Sequence, residues 1–171
     1  MAIKIVEGDK ANITKPKTDA LVSPANGVGI MGAGAAGAIA EAGGQNFRRE
    51  AKGKVDVHGK PFEPGDCYST EPHRLKRRGV KRVYHAVTMK YPGGFTSLDI
   101  VDKAMRKVLN QAIKDEMESI AFPGLGTGIG GLEASSVARI MMGIAKNYTH
   151  LIDIRFVDIN PRMISEWNKY L

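Results

Sequence analysis

Two glycine-rich stretches carry the residues whose types and spacing could do chemistry. The first spans residues 26–37 (NGVGIMGAGAAG) and the second spans residues 123–131 (PGLGTGIGG). Each follows a short apolar run and precedes residues with helical spacing, so each is predicted to be a loop between a strand and a helix. Glycine lets a ligand approach the main chain closely, and the bare N–H groups of a helix N-terminus favour an anion. Together the two stretches predict a site that holds a two-phosphate ligand from both sides.

Neither stretch has the motif of a metal-dependent nucleotide hydrolase. The second lacks the lysine and the hydroxyl that end a Walker loop. Neither is a dinucleotide-binding fingerprint, because that motif follows the first strand of its fold and these stretches follow later predicted strands. Cys67 is the only cysteine, which excludes an internal disulfide and a cysteine-rich zinc site. The sequence therefore predicts neither a metal nor a cofactor.

Strand-like and helix-like segments alternate along the chain. Strands are predicted near residues 3–5, 19–23, 67–70, 83–87, 120–123 and 152–158. Four helical segments are predicted. The first covers residues 35–51 with an interruption at Gly43–Gly44, and the second follows a Ser97 cap. The third ends at about residue 148, and the fourth follows an Asn160–Pro161 cap. Residues 8–12 are predicted to turn. This alternation predicts one α/β domain over residues 1–171, in which helices cover both faces of a mostly parallel sheet and both glycine stretches lie at its carboxyl edge.

Composition and charge narrow the class of protein. Of the 171 residues, 43% are hydrophobic and 25% are charged, as in ordinary globular proteins. No apolar run is long enough to span a membrane, and the first residues lack a signal-peptide core, so we expect a cytoplasmic protein with no membrane partner. The net charge of +7 fits a basic enzyme or an attraction to anions. Residues 73–82 form a basic loop without interleaved aromatics, so solvated surface is expected there and a nucleic-acid partner is not.

Four segments resemble the motifs of a known family, the macro domains. They are residues 19–26 (DALVSPAN), 31–39 (MGAGAAGAI), 83–87 (VYHAV) and 122–131 (FPGLGTGIGG), and they follow one another in the family's order. The resemblance implies an α/β fold, a three-layer α/β/α sandwich with a mixed, mostly parallel central sheet. It also implies that the ligand is ADP-ribose or an ADP-ribose derivative. Several macro domains hydrolyse O-acyl-ADP-ribose, ADP-ribosyl groups on acidic side chains, or ADP-ribose-1″-phosphate.

The resemblance assigns roles to both glycine stretches. Asn26 would lie beside the distal ribose and orient a water or a hydroxyl, which makes it the candidate catalytic residue. The alternative for Asn26 is a structural Asx-turn after the strand. The backbone of the first stretch would hold the distal ribose and a phosphate through Gly32, Ala33, Gly34 and Ala35. The backbone of the second would hold the diphosphate from the other side through Gly126, Thr127, Gly128, Ile129 and Gly130.

The same resemblance places the adenine near the first and last strands. The family has a Gly-Asp-Ile-Thr run whose aspartate accepts from the adenine amino group. Here either Asp9 or Asn12 takes that place, because Lys10, Ala11 and Asn12 separate Gly8-Asp9 from Ile13-Thr14. We favour Asn12 with Ile13, the amide oxygen of Asn12 being the acceptor. Residues near the last strand would close over the base, namely Val157, Asp158 and Asn160, with a plain helix N-cap as the alternative for Asn160.

Three positions bear on catalysis. Ala36 stands where many hydrolytic relatives carry an aspartate. Gly130 stands where many carry an aromatic ring, which would leave more room, or less ordering, around the distal ribose. His85 lies in an apolar strand and is expected to be a core residue and not a base. The resemblance nevertheless implies hydrolysis of an ADP-ribose ester, O-acetyl-ADP-ribose or an ADP-ribosylated acidic side chain of a protein, by a positioned water without a loop carboxylate. The alternatives are a reader that binds ADP-ribose without turnover and an ADP-ribose-1″-phosphate phosphatase.

Overall fold

The computed structural model describes residues 2–6 and 12–171. The described strands are β1 (Ile3–Val6), β2 (Ala20–Asn26), β3 (Cys67–Thr70), β4 (Arg82–Met89), β5 (Ser119–Phe122) and β6 (Asp153–Val157). The described α-helices are α1 (Gly34–Gly43), α2 (Gln45–His58), α3 (Leu98–Lys114), α4 (Ala134–Lys146) and α5 (Pro161–Asn168). None of these helices is both long and apolar enough to cross a membrane.

The strands form one mixed sheet in the order β1-β6-β5-β2-β4-β3. Every neighbouring pair is parallel except β3 with β4, which is antiparallel. Strand β2 lies between β5 and β4, and all three run in the same direction. The loops that follow β2, β5 and β4 therefore leave from one edge of the sheet, as the sequence predicted for both glycine stretches.

Helices cover both faces of the sheet, so the predicted three-layer α/β/α sandwich is confirmed. Helices α3, α4 and α5 pack on one face around Phe122, Phe156 and Trp167, all fully buried. Helices α1 and α2 pack on the other face around Phe47 and Leu21. Successive side chains of β2 and β4 point to opposite faces of the sheet, and both strands are buried over almost their whole length. This burial on both faces explains why β2 has no polar–apolar alternation in its sequence.

Local sequence signals set most of the element boundaries. Gly44, at φ 91°, separates α1 from α2 where the glycine pair predicted an interruption. Ser97 Oγ accepts a hydrogen bond from Ile100 N at 3.3 Å and begins α3, and Asn160 with Pro161 begins α5. The predicted basic loop at 73–82 is partly wrong, because His73–Arg78 form a 3₁₀-helix. The turn predicted at residues 8–12 lies almost entirely outside the described residues.

His85 occupies the centre of a stack of rings under α2. Its imidazole lies parallel to the ring of Tyr68 with ring centroids 4.4 Å apart, and the ring centroid of Phe47 lies 5.6 Å from that of His85. Nε2 is 2.9 Å from Thr70 Oγ1, and the side chain is fully buried. Burial, with a smaller contribution from the Lys54 charge, lowers the pKa of His85 from 6.5 to about 3. His85 is therefore a neutral core residue, as the sequence predicted.

This buried histidine should make the protein less stable in acid. Below its ordinary pKa of 6.5 the unfolded chain binds a proton at residue 85 that the folded chain excludes until about pH 3. Stability therefore falls as the pH decreases, by about 2 kcal/mol from this group between about pH 7.5 and about pH 5. Urea unfolding at both pH values measures the loss.

The variant His85→Gln isolates this effect, because every other ionisable group is common to the two proteins. We expect its loss between the two pH values to be smaller than the loss in the wild type by about 2 kcal/mol. Equal losses in the two proteins would show that His85 does not carry this acid sensitivity.

Candidate functional site

A cavity of about 540 Å³ opens at the carboxyl edge of the sheet, between the loops that follow β2 and β5. The end of β4 and the loop after it border one side of the cavity, through Thr88, Met89 and Pro92. The loop after β6 borders it through residues 157–160. The cavity thus lies where strand order reverses around β2, which is the usual ligand position in an open α/β sheet.

The structure brings the predicted site residues together around this cavity. Every described member of the predicted set lines it: Asn12, Ile13, Asn26, Gly32, Ala33, Gly34, Ala35, Gly126, Thr127, Gly128, Ile129, Gly130, Val157, Asp158 and Asn160. Asp9, the alternative to Asn12, lies outside the described residues. The structure thus places the predicted residues of four separate chain segments around one cavity.

Sequence reasoning missed several lining residues. Thr88 and Met89 end β4 and Pro92 lies in the loop after it, and the one available signal was that a third parallel strand ends at the same edge. Ile30 and Ile159 also line the cavity, and their side chains are largely exposed. No motif marked either isoleucine, since an apolar residue in a loop has no local pattern that assigns it to a cavity.

The side chain of Asn26 folds the first glycine loop. Its Oδ1 accepts from Val28 N and Ile30 N, both at 3.2 Å, and its Nδ2 donates to Ile30 O at 2.9 Å. Asn26 is 9% exposed, so these bonds are largely protected from water. The structure thus shows the loop-forming arrangement of the Asx-turn alternative. One hydrogen of the amide remains for a ligand in the cavity.

Helix α1 begins directly at the cavity. Its N-cap is Ala33, which has no side chain that could accept from the first turn. In the described part of the chain, the N–H groups of Gly34, Ala35 and Ala36 have no acceptor. Such orphan donors, together with the helix dipole, form an anion-binding site. Arg48 holds the preceding loop through a 2.7 Å hydrogen bond to Met31 O.

The second glycine loop presents donors from the opposite side. The N–H groups at residues 126–130 have no acceptor among the described residues, whereas Gly131 N and Leu132 N bond back onto the loop. Asp158 connects this loop to the segment after β6, since its Oδ2 accepts from Gly124 N at 2.9 Å. Its Oδ1 accepts from Asn160 N at 2.9 Å. Both carboxylate oxygens of Asp158 therefore hold the wall of the cavity.

The cavity contains little side-chain charge. Asp158 is the single ionisable side chain among the described lining residues, and none of them is Lys, Arg or His. The basic residues that the structure describes lie outside the cavity wall. An anion bound here would be held by backbone N–H groups and helix ends, and not by ion pairs.

Gly130 does not leave the room that the sequence suggested. A Cβ at this position would lie 2.6 Å from Gly126 O and 2.7 Å from the methyl carbon of Thr96. The space beside Gly130 is thus filled by backbone and by the loop that follows β4. Glycine is required here because the second glycine loop and the loop after β4 approach each other too closely for a side chain at residue 130.

Substituting two glycines of this loop tests that close approach. Gly130→Ala should destabilise the fold by about 1–3 kcal/mol, because the added methyl overlaps fixed backbone. Gly128→Ala is the matched control, since a Cβ there meets nothing within 4 Å. Urea unfolding compares the two variants with the wild type. Equal stability of the Gly130→Ala variant and the wild type would show that the loop can open at this point.

Comparison with known proteins agrees with this fold. A sequence profile described as Macro domain matches residues 22–141. An uncharacterized protein of Aquifex aeolicus is 36% identical over 173 residues, which cover 100% of this chain and 98% of that protein. An uncharacterized protein of Aeropyrum pernix is 37% identical over 136 residues, which cover 80% of this chain and 68% of that protein.

Solved structures show the same fold. The Oceanobacillus iheyensis macrodomain with ADP superposes with a TM-score of 0.84 at 22% identity, over 97% of this chain and 87% of that one. The Trypanosoma brucei macrodomain in complex with ADP-ribose superposes with a TM-score of 0.78 at 21% identity, over 98% of this chain and 68% of that one. With the profile match and the relatives above, these likenesses show that the chain belongs to the macro domain family.

Proposed function

We propose that this macro domain binds ADP-ribose in the cavity between its two glycine loops. The observation that carries the proposal is the pair of facing N–H arrays, at residues 34–36 and at residues 126–130. A diphosphate needs donors on two sides, and these arrays supply them without a metal or a cationic side chain. The macrodomain structures with ADP and with ADP-ribose support the same ligand class through their shared fold.

The positions of the remaining polar groups orient the ligand. The distal ribose lies beside Asn26, whose spare amide hydrogen can donate to a ribose oxygen. The base lies at the other end, between Ile13 and Val157, which are almost fully buried and provide apolar walls for a planar ring. Asn12 and Asn160 stand beside those walls. In this orientation the diphosphate spans the middle of the cavity, where both loops meet it.

The proposed activity is hydrolysis of an ADP-ribose ester. Asp158 lies at the base end and both of its oxygens hold backbone N–H groups, so no described side chain beside the distal ribose can serve as a general base. An oxygen of the bound ligand's own phosphate takes that role and accepts a proton from water. Ala36 is buried and stands at the position where many hydrolytic relatives carry an aspartate. The lack of a carboxylate at this position is consistent with such substrate-assisted chemistry.

The reaction then follows the usual course of ester hydrolysis. The water oxygen attacks the acyl carbon, and N–H groups of the first loop stabilise the negative charge on the acyl oxygen, at about 3 kcal/mol for one such donor. The bond between the acyl carbon and the ribose oxygen breaks. The ribose oxygen takes the proton from the phosphate, which leaves ADP-ribose and a carboxylic acid. Because no positioned side-chain base contributes, we expect turnover to be slow.

A time course with O-acetyl-ADP-ribose tests both parts of the proposal. We expect slow release of free ADP-ribose by the wild type and release at the buffer rate by Asn26→Ala, because that variant loses the three bonds that fix residues 26–30. Asn168→Ala is the matched control. Its Nδ2 makes the same kind of bond, to Ile164 O at 3.0 Å, outside the cavity. Circular dichroism shows whether each variant is folded.

Each other outcome identifies an alternative. Tight binding of ADP-ribose without turnover would show a reader and overturn the hydrolase. Release of inorganic phosphate from ADP-ribose-1″-phosphate, with no ester turnover, would show a phosphatase. Absence of ADP-ribose binding by the folded wild type would overturn the proposed ligand itself.

A further inference from the structure

We propose that the base end of the cavity accepts a purine with a 6-oxo group as readily as it accepts adenine. This inference rests on the proposed function, since it concerns the base of the same diphosphate ligand. The residue that determines the specificity is Asn12. Its side chain presents hydrogen-bond donors to the cavity and no acceptor, which reverses the expectation from the sequence that its amide oxygen accepts from the adenine amino group.

A chain of three residues fixes the orientation of the Asn12 amide. Asn12 Oδ1 accepts from Thr14 N at 3.0 Å and lies 2.9 Å from Thr14 Oγ1. Arg78 Nη1 lies 2.6 Å from the same hydroxyl oxygen. A guanidinium can only donate, so the hydroxyl accepts from Arg78 and gives its own hydrogen to Asn12. Asn12 Oδ1 thus receives two hydrogen bonds, which occupy both of its lone pairs.

The amide cannot turn over without losing these contacts. A flipped Asn12 would place NH₂ opposite the backbone N–H of Thr14, so two donors would face each other. Thr14 is 2% exposed, and an unpaired buried donor costs about 1–3 kcal/mol. Arg78 is itself anchored by a second hydrogen bond, to Thr14 O at 3.1 Å. The orientation of Asn12 is therefore set by the fold before any ligand arrives.

The oxygens of the other polar side chains at this end also accept hydrogen bonds within the protein. Asn160 Oδ1 accepts from Arg162 N at 3.0 Å as the cap of α5. The two oxygens of Asp158 accept from Gly124 N and Asn160 N. Among the described residues, the amide nitrogens of Asn12 and Asn160 have no acceptor. Asn12 therefore offers a base only amide donors, whereas Asn160 offers an amide donor and one remaining lone pair on Oδ1.

Purine chemistry then sets the selectivity. Adenine offers N1, N3 and N7 as acceptors, whereas hypoxanthine offers N3, N7 and the 6-oxo oxygen as acceptors and carries a hydrogen on N1. An amide donor at Asn12 can bond to either base, whereas the 6-amino group of adenine finds no acceptor on Asn12. A carboxylate at the same position would do the reverse, since it accepts from the amino group and repels the 6-oxo oxygen.

Calorimetric titration with ADP-ribose and with inosine diphosphate ribose tests this inference. For the wild type we expect dissociation constants that agree within about threefold, because one donor serves both bases. Asn12→Asp keeps an oxygen for the two Thr14 bonds and places its second oxygen at the base. This variant should prefer ADP-ribose by about tenfold or more, the effect of about one hydrogen bond. Asn12→Ala should weaken both ligands alike.

Two results would overturn the inference. One is a wild-type preference for ADP-ribose of about tenfold or more. The other is a ratio that does not change in Asn12→Asp but changes in Asp9→Asn, which would make Asp9 the contact to the base. Both results require that ADP-ribose binds, so they leave the proposed function intact. Failure of the folded wild type to bind either ligand would instead overturn the proposed function.

Discussion

The parallel pairing of β2 with β5 is the contact on which the site depends. Ala20 pairs with Ile120 and Leu21 with Ala121, in the middle of the sheet and buried on both faces. Since both strands run the same way, the two glycine loops leave side by side and enclose one cavity. Displacing either strand would separate the two N–H arrays, and neither array alone could enclose a diphosphate. The apolar core thus sets the spacing of a polar site.

The unpaired N–H groups of the described site belong to the main chain, and polar side chains of the site keep that main chain in place. Asn26 makes three hydrogen bonds within the first loop, and Asp158 connects the second loop to the segment after β6. A loop with unpaired N–H groups would otherwise lose them to its own carbonyls or collapse. Side chains that line the cavity therefore act first as supports for the backbone.

The sequence predicted those features whose signals are local. The glycine loops, the interruption at Gly44 and the caps at Ser97 and Asn160 each depend on neighbouring residues, and all were found where expected. The packing of Gly130 against Thr96 joins residues far apart in the chain, so no local pattern could show that the space beside this glycine is filled. The part of the cavity wall after β4 was missed for the same reason.

The orientation of an asparagine amide is the feature of the site that the sequence predicts least well. Its amide is a donor on one side and an acceptor on the other, and the residue type does not say which side a ligand meets. At Asn12 the answer comes from Arg78, which orients the Thr14 hydroxyl and thereby occupies the amide oxygen. Arg78 belongs to the basic segment that charge alone assigned to solvated surface. A residue outside the described cavity wall thus orients a side chain that lines the cavity.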